Sequence, residues 1–306
     1  MPRQTEPAGD TPIRLQRILF ATDFSPTSAM ALPYAAAVAR RFQASIYVAH
    51  VIPADEYAHM ELKQRERSIA EMKTSARQRI SSLLTSTHFN DIPFQIVLDH
   101  GDIMAVTCAL VERFAIDLIV AGSHGRHGLH KLLSPSIDEA IACAAACPSL
   151  LIGPRASIDP QAELHLQRIL FPTDFSPESR RALDYAFALA KAYSAHLYIV
   201  HVAEDVWNEP LSTKMSADAF CRARLLEVGL PQTERDVEPE FLVEFGPPET
   251  LILEMAQTRA VQLIVVGVPQ SAHPHLSSRL PGPMAYNLAS HALCPVFAVR
   301  NAAPES

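Results

Sequence analysis

Residues 16–35 read QRILFATDFSPTSAMALPYA and residues 167–186 read QRILFPTDFSPESRRALDYA, with fifteen of twenty positions identical at a constant offset of 151. Later landmarks recur in the same order. YVAHV at 47–51 returns as YIVHV at 198–202, Gly101 as Gly246, Gly122 as Gly267, and Cys147-Pro148 as Cys294-Pro295. A repeated unit this long is a whole domain, so the chain is a tandem duplication and not a solenoid of short repeats. The 306 residues suit two domains, at roughly 150 residues each. The boundaries expected are 14–154 and 165–301, with the Pro-containing polar stretch GPRASIDPQAELHL, Gly153 to Leu166, as the linker.

Within each copy the pattern alternates between strand and helix. In the first, Ile18–Ala21 is a short apolar strand, and Ser25-Pro26 opens a helix reaching about Phe42, with Ser as N-cap and Pro at the first helical position. Ser45–Val51 is β-rich. From about Tyr57 to Leu84 the spacing predicts a long amphipathic helix, with Leu62, Ile69, Met72, Ala76, Ile80 and Leu83 on its apolar stripe. Phe94–Leu98 reads as a strand, Asp102–Phe114 as a helix, Leu118–Ala121 as a strand, Ile137–Ala145 as a helix and Ser149–Ile152 as a fifth strand. The second copy keeps this order with a shorter helical region after its second strand. The fold class is therefore α/β: two tandem doubly wound domains, each a parallel sheet flanked by helices through right-handed crossovers. In such sheets ligands sit beyond the carboxyl ends of the strands, where the order reverses. That draws attention to Asp23, Val51 and the loop from Gly122.

Composition narrows the class further. Hydrophobic residues are 48% and charged residues 19% of the chain, enough for real cores. A net charge of −7 disfavours a nucleic-acid partner, which selects a basic surface. The five cysteines are odd in number and form no CxxC pair, which fits reduced thiols and a cytoplasmic setting. The first sixteen residues have no apolar core of a secretory signal, and the apolar runs are strand-length, so neither export nor a membrane span is expected.

The stretch AGSHGRHGLHKLLSPS, Ala121 to Ser136, carries the chemistry. Gly122 and Gly125 let the backbone approach a bound group and turn N–H groups toward it. Ser136 and Glu139 form a capping box before an apolar run, and a helix start offers free N–H groups and a favourable dipole to phosphate. Alone such a turn is a weak signal.

The ordered set of Asp23, His50-Val51, GSHGRHG and Cys147-Pro148, present in both copies, resembles the universal stress protein family across nearly all of Arg17–Arg300. The resemblance implies a five-stranded sheet of order 3-2-1-4-5 in each domain and fifth strands that pair between domains so that one chain mimics a dimer; association of two chains into a homodimer is left open. It implies ATP or another adenine nucleotide, with Mg2+, as cofactor. Ala21, Thr22, Asp23 and Val51 would receive the base and ribose; Gly122, His124, Gly125, Pro135, Ser136 and Ile137 would line the phosphates. The family's ATP-binding motif G-x2-G-x9-G-[S/T] matches at Gly122, Gly125 and Ser136, with Pro135 where a glycine is expected. Proline has no N–H to donate and cannot adopt φ > 0. The second copy departs further: Gln270 replaces the second glycine, Gly282 lies two residues too far, and Pro283 replaces the Ser or Thr. Its weaker site would comprise Pro172, Thr173, Asp174, Val202, Gly267 and Gly282.

Blander readings stand beside these. Asp23 and Asp174 suit helix or turn capping. His124, His127 and His130 sit three apart but lack a fourth zinc ligand, so no metal site is expected. Cys143 and Cys147 read as small buried thiols. Ser25 and Ser176 lack a nucleophile elbow. With no nucleophile–base pair or metal cluster, the expectation is a stress-response protein that binds nucleotide and senses or interacts, not an enzyme, with slow ATP hydrolysis left open. Two alternatives are a scaffold with both clefts decayed, working through protein partners, and a nucleotide-dependent enzyme of the wider superfamily, of ATP-pyrophosphatase or adenylyl-transferring type. ATDFSP lacks the first-loop motifs of that enzyme class.

Overall fold

The computed structural model describes residues 13–86, 89, 91–123, 147–156, 164–204, 206, 208–229, 237–268 and 282–300. In the first half, β1 (Arg17–Ala21) leads into α1 (Pro26–Phe42). The Ser25 hydroxyl accepts from the Ser28 N–H, capping the helix start, and Gln43 ends the helix in the left-handed region. Its alanine-rich face is buried, which lets the backbone lie close to the sheet; Arg40 and Arg41 stand in its last turn, where a cation suits the dipole. β2 (Ser45–Pro53) follows, then a 3-10 turn (Ala54–Glu56) and α2 (Leu62–Ser86). β3 (Phe94–Gly101), α3 (Ile103–Phe114), β4 (Leu118–Gly122) and β5 (Ser149–Ile152) complete the half. Asp102 opens α3, its carboxylate accepting from the Ala105 N–H at 2.9 Å.

The second half repeats the pattern with β6 (Arg168–Pro172), α4 (Pro177–Tyr193), β7 (His196–Ala203), α5 (Leu211–Gly229), β8 (Glu240–Phe245), α6 (Pro248–Thr258), β9 (Leu263–Val268), α7 (Gly282–His291) and β10 (Val296–Arg300). All ten strands join one sheet in the order β3-β2-β1-β4-β5-β10-β9-β6-β7-β8. Each half is parallel within itself and shows the 3-2-1-4-5 order. The halves meet where β5 and β10 pair antiparallel, with Val296 opposite Leu151, Phe297 opposite Leu150 and Ala298 opposite Ser149. The expected pairing of fifth strands is therefore present.

Burial follows the strand runs. β4 is buried along its whole length, as befits a central parallel strand covered on both faces. One core runs through both halves on the α1/α2 and α4/α5 side of the sheet, from Ile18, Phe20 and Ile80 to Phe171, Leu225 and Phe297. On the opposite face Leu19, Val97, Leu110 and Ile119 form a first-half core under α3. Ala121 and Leu151 join the second-half core there. The halves also touch where Phe42 meets Tyr193 edge-on, rings 6.2 Å apart, and where Arg41 donates to the Ala192 carbonyl.

Three expectations change. The long helix starts at Leu62, not Tyr57, because a turn closed by the Met60 N–H on the Tyr57 carbonyl at 3.1 Å follows the 3-10 turn. Leu62, placed on the apolar stripe, is 75% exposed. Tyr57 instead turns back to His100, with its hydroxyl 3.2 Å from Nδ1. The expected linker is anchored at both ends: Ala156 and Leu166 are buried, and Gly153 lies so close to the Ala289 carbonyl that a Cβ would sit 1.7 Å from its oxygen. Finally, β2 and β3 run on to Pro53 and Gly101, lengthening the edge of the sheet.

Candidate functional site

The site is built at the end of β1. The Thr22 N–H still bonds to the Ala49 carbonyl of β2 at 2.9 Å, so this residue belongs to the sheet. The chain then turns sharply through Phe24, whose φ of 60° is unusual for a residue with a Cβ. Side chains on either side hold the turn: Thr22 Oγ1 accepts from the Phe24 N–H at 3.0 Å, and an Asp23 carboxylate oxygen accepts from the Ser25 N–H at 2.9 Å. Strain of this kind persists where the surroundings over-determine it, and it gathers at functional sites.

The turn throws the Phe24 ring against His50, centroids 4.4 Å apart. The His50 Nδ1–H donates to the Thr22 carbonyl at 2.8 Å, an assignment that follows because a carbonyl only accepts. Above Phe24 lies the Arg79 guanidinium of α2, 3.9 Å from the ring centroid. Among the described residues Arg79 has no hydrogen-bond or ion-pair partner, so the ring face is its principal contact. Burial holds the His50 imidazole below its usual range. The Thr22 carbonyl and the Glu56 and Asp23 carboxylates pull it up, and the Arg79 charge adds to the lowering.

These residues form one side of a cleft of about 680 Å³ at the carboxyl ends of β1, β2 and β4. Ala21, Thr22, Asp23, Val51 and Gly122 are on its wall, with Glu56 and Arg79 as its further charged groups. Its floor is set by how closely Gly122 approaches α1: a Cβ there would lie 2.7 Å from the Thr27 carbonyl carbon and oxygen. The cleft is of a size that takes a small molecule. It sits between β1 and β4, where the strand order reverses.

The second half repeats the turn. Phe175 has φ 63°, its ring lies 4.3 Å from that of His201, Nδ1 of His201 donates to the Thr173 carbonyl at 2.8 Å, and Arg224 of α5 stands 4.5 Å over Phe175. The acid is held differently. Ser179 donates its hydroxyl to Asp174 at 2.6 Å, and the Ser176 N–H donates at 3.0 Å. In the first half the equivalent Ser28 hydroxyl donates to the Ser25 carbonyl and lies 3.0 Å from Thr22 Oγ1. Burial works to raise the Asp174 carboxyl, but the hydrogen bonds from Ser176 and Ser179 outweigh it and hold it below the ordinary value.

Of the residues singled out from sequence, Ala21, Thr22, Asp23, Val51 and Gly122 converge on one cleft. His124, Gly125, Pro135, Ser136 and Ile137 lie outside the described residues, as do His127, His130 and Cys143. In the second half Pro172, Thr173, Asp174, Val202 and Gly267 occupy the matching strand ends, and Gly282 is the first residue of α7. The capping reading of the aspartates is partly right, since each holds its turn; the helix caps themselves are Ser25 and Ser176. Sequence reasoning missed Phe24, His50 and Arg79 as a stack. The repeated Phe and His were visible, but Arg79 comes from a helix far along the chain.

Cys147, Cys221 and Cys294 are free and buried, and burial pushes the thiols of Cys147 and Cys294 up to about 12, which leaves them unreactive. Cys108 is disulfide-bonded, a departure from the expectation of thiols throughout. No cluster of metal-binding side chains occurs among the described residues. No described helix is long and apolar enough to cross a membrane.

Fold and cleft together define a class: a tandem Rossmann-like α/β protein, two doubly wound halves on one sheet with a small-molecule cleft at a switch point. The model of the universal stress protein family matches residues 14–153 and 165–300, and the chain belongs to that family. It is 33% identical over 142 residues to universal stress protein A homolog 1 of Coxiella burnetii, a match covering 45% of this chain and 95% of that one. The crystal structure of a universal stress protein from Archaeoglobus fulgidus matches both halves at once, with a TM-score of 0.66 and 20% identity over 94% of this chain and 99% of the other. A protein of unknown function from Pseudomonas aeruginosa PAO1 matches with a TM-score of 0.55 and 17% identity over 94% and 93% of the two chains.

Proposed function

We propose that the first-half cleft binds an adenine nucleotide, ATP with its Mg2+ foremost, and that the protein works as a nucleotide-responsive interaction module, not as a catalyst. The observation that carries this reading is the convergence of Thr22, Asp23, Val51 and Gly122 on one cleft at the switch point. Family membership supplies the ligand class, since members of this family bind adenine nucleotides. The strand-end carbonyls and the Asp23 carboxylate supply acceptors suited to ribose hydroxyls and the adenine amine. The second cleft is the weaker. Its sequence lacks the second motif glycine, places Gly282 two residues too far and has Pro283 in place of the Ser or Thr.

Calorimetric titration of the full chain with Mg-ATP tests this. Asp23→Asn keeps an acceptor for the Ser25 N–H and removes the charge; it lowers affinity by about tenfold, the worth of one charge-assisted hydrogen bond. Asp174→Asn leaves the affinity nearly unchanged. A larger loss from Asp174→Asn reverses the ranking of the clefts. No heat and no thermal shift with millimolar ATP sinks the nucleotide reading, because a ligand of the folded form raises its apparent stability.

The scaffold reading has its own support, in that both aspartates spend an oxygen on holding a turn. It predicts that the purified protein carries no extractable nucleotide.

A further inference from the structure

β3 is one end of the ten-stranded sheet, and among the described residues it pairs only with β2. Its open side can be read from the hydrogen bonds. The Pro93 carbonyl points toward β2, where it accepts from the Ile46 N–H. The His100 N–H points away and is taken by the Asp99 carboxylate at 2.9 Å. Alternation along a strand then places the N–H and C=O groups of Ile96 and Leu98 on the open edge.

This edge is the floor of a groove of about 360 Å³, walled by Lys73, Thr74 and Arg77 of α2 on one side and by Arg113 and Phe114 of α3 on the other. The two helices lie on opposite faces of the sheet: Ile96 and Leu98 pack into the core under α2, Val97 into the core under α3. Lys73 is 3.9 Å from Asp99 at the far end of the strand. Arg77 and Arg113 have no ion-pair partner among the described residues. The groove is thus cationic in a chain of net charge −7. The opposite edge, β8, instead carries Glu240 and Glu244, with Glu240 tied to Arg259 and His196.

We infer that the β3 edge is a docking site for an extended acidic peptide segment of a partner protein, added as an eleventh strand beside β3. The main chain of the segment bonds to Ile96 and Leu98. Because side chains of a strand alternate in direction, every second residue faces α2 and those between face α3. Carboxylates at alternate positions meet Lys73 and Arg77, and apolar residues between them rest on Phe114. Backbone pairing supplies affinity and the side-chain alternation supplies selection, as in other strand additions.

Fluorescence anisotropy with a labelled, capped peptide of alternating glutamate and valine tests this on the full chain. The peptide binds, binding weakens with salt, and Lys73→Glu/Arg77→Glu lowers affinity by about tenfold or more. Arg77 is exposed and Lys73 half-buried on α2, and circular dichroism of the variant checks that it folds. The same peptide N-methylated at alternate amides keeps its charge but cannot pair, and it binds at least about tenfold more weakly. Equal binding of the methylated peptide, equal binding of an alternating lysine–valine peptide, or no binding of the acidic one overturns the inference. So does concentration-dependent self-association, in the absence of peptide, that the Lys73/Arg77 reversal abolishes, since the occupant would then be a second copy of the chain.

Discussion

The corners that follow β1 and β6 are one motif built twice, and they agree where the backbone is strained. Phe24 and Phe175 adopt the same left-handed conformation, lean on His50 and His201, and lie under Arg79 and Arg224. They differ in how the helix-start serines bond: Ser28 bonds within its own helix turn and to Thr22, whereas Ser179 bonds to Asp174 and lies 3.2 Å from the Ser176 hydroxyl. The strained turn is therefore a property of the scaffold, retained whatever its cleft holds. The bonding of the second helix-start serine is what distinguishes one corner from the other.

The largest test of that distinction is steric. Gly122→Val drives a Cβ into the Thr27 and Ser28 backbone, and α1 must move. Overpacking of this kind costs about 3 kcal/mol, read as a lower urea midpoint with unchanged slope, and loss of ATP binding should accompany it. A stable variant that still binds would show that the cleft does not depend on this close approach.

Next comes the serine pair. Ser179→Ala removes a hydrogen bond to a carboxylate, about 1.5–3 kcal/mol, whereas Ser28→Ala removes bonds between neutral groups, about 0.5–1.5 kcal/mol. Equal losses would erase the difference between the corners. The Asp174 effect has a definite pH sense. Its folded carboxyl lies below the ordinary value, so its contribution is present above the unfolded pKa of about 3.9 and is lost as pH falls through the folded value. Ser179→Ala moves that loss to higher pH.

The smallest effect is electrostatic. Arg79→Gln removes a charge that disfavours His50 protonation, so the imidazole pKa, followed by NMR, rises toward its usual value. In the wild type, the unfolded chain takes up this proton first as pH drops below about 6.5. Stability therefore falls with pH from there down to the folded pKa, and Arg79→Gln narrows that window. An unmoved His50 pKa would mean that the guanidinium only covers the Phe24 ring.

Much of this was legible in the chain. A repeat of 151 residues with alternating strand and helix signals already defines two doubly wound halves, and Ser-Pro after each first strand announces a capped helix. Thr22, Asp23, Val51 and Gly122 were placed together because strand ends meet at a switch point. What stayed hidden depends on long-range placement. Nothing in the spacing of α2 marks Arg79 as the residue that reaches Phe24. Hydrogen-bond partners separate Ser28 from Ser179 within nearly identical segments. The expected helix start at Tyr57 overran the true one at Leu62, because the chain first closes a hydrogen-bonded turn from Tyr57 to Met60.

The β5–β10 junction has a consequence for how the protein behaves on dilution. When two halves of a sheet belong to separate chains, mass action governs their union, and a low copy number dissolves it. Here the partners are covalently joined, so their encounter is intramolecular and its effective concentration is set by the connecting segment alone. The two halves thus keep one shared sheet from the scarcest to the most abundant expression level. The ten-stranded sheet therefore forms in the same way however much or little of the protein is present.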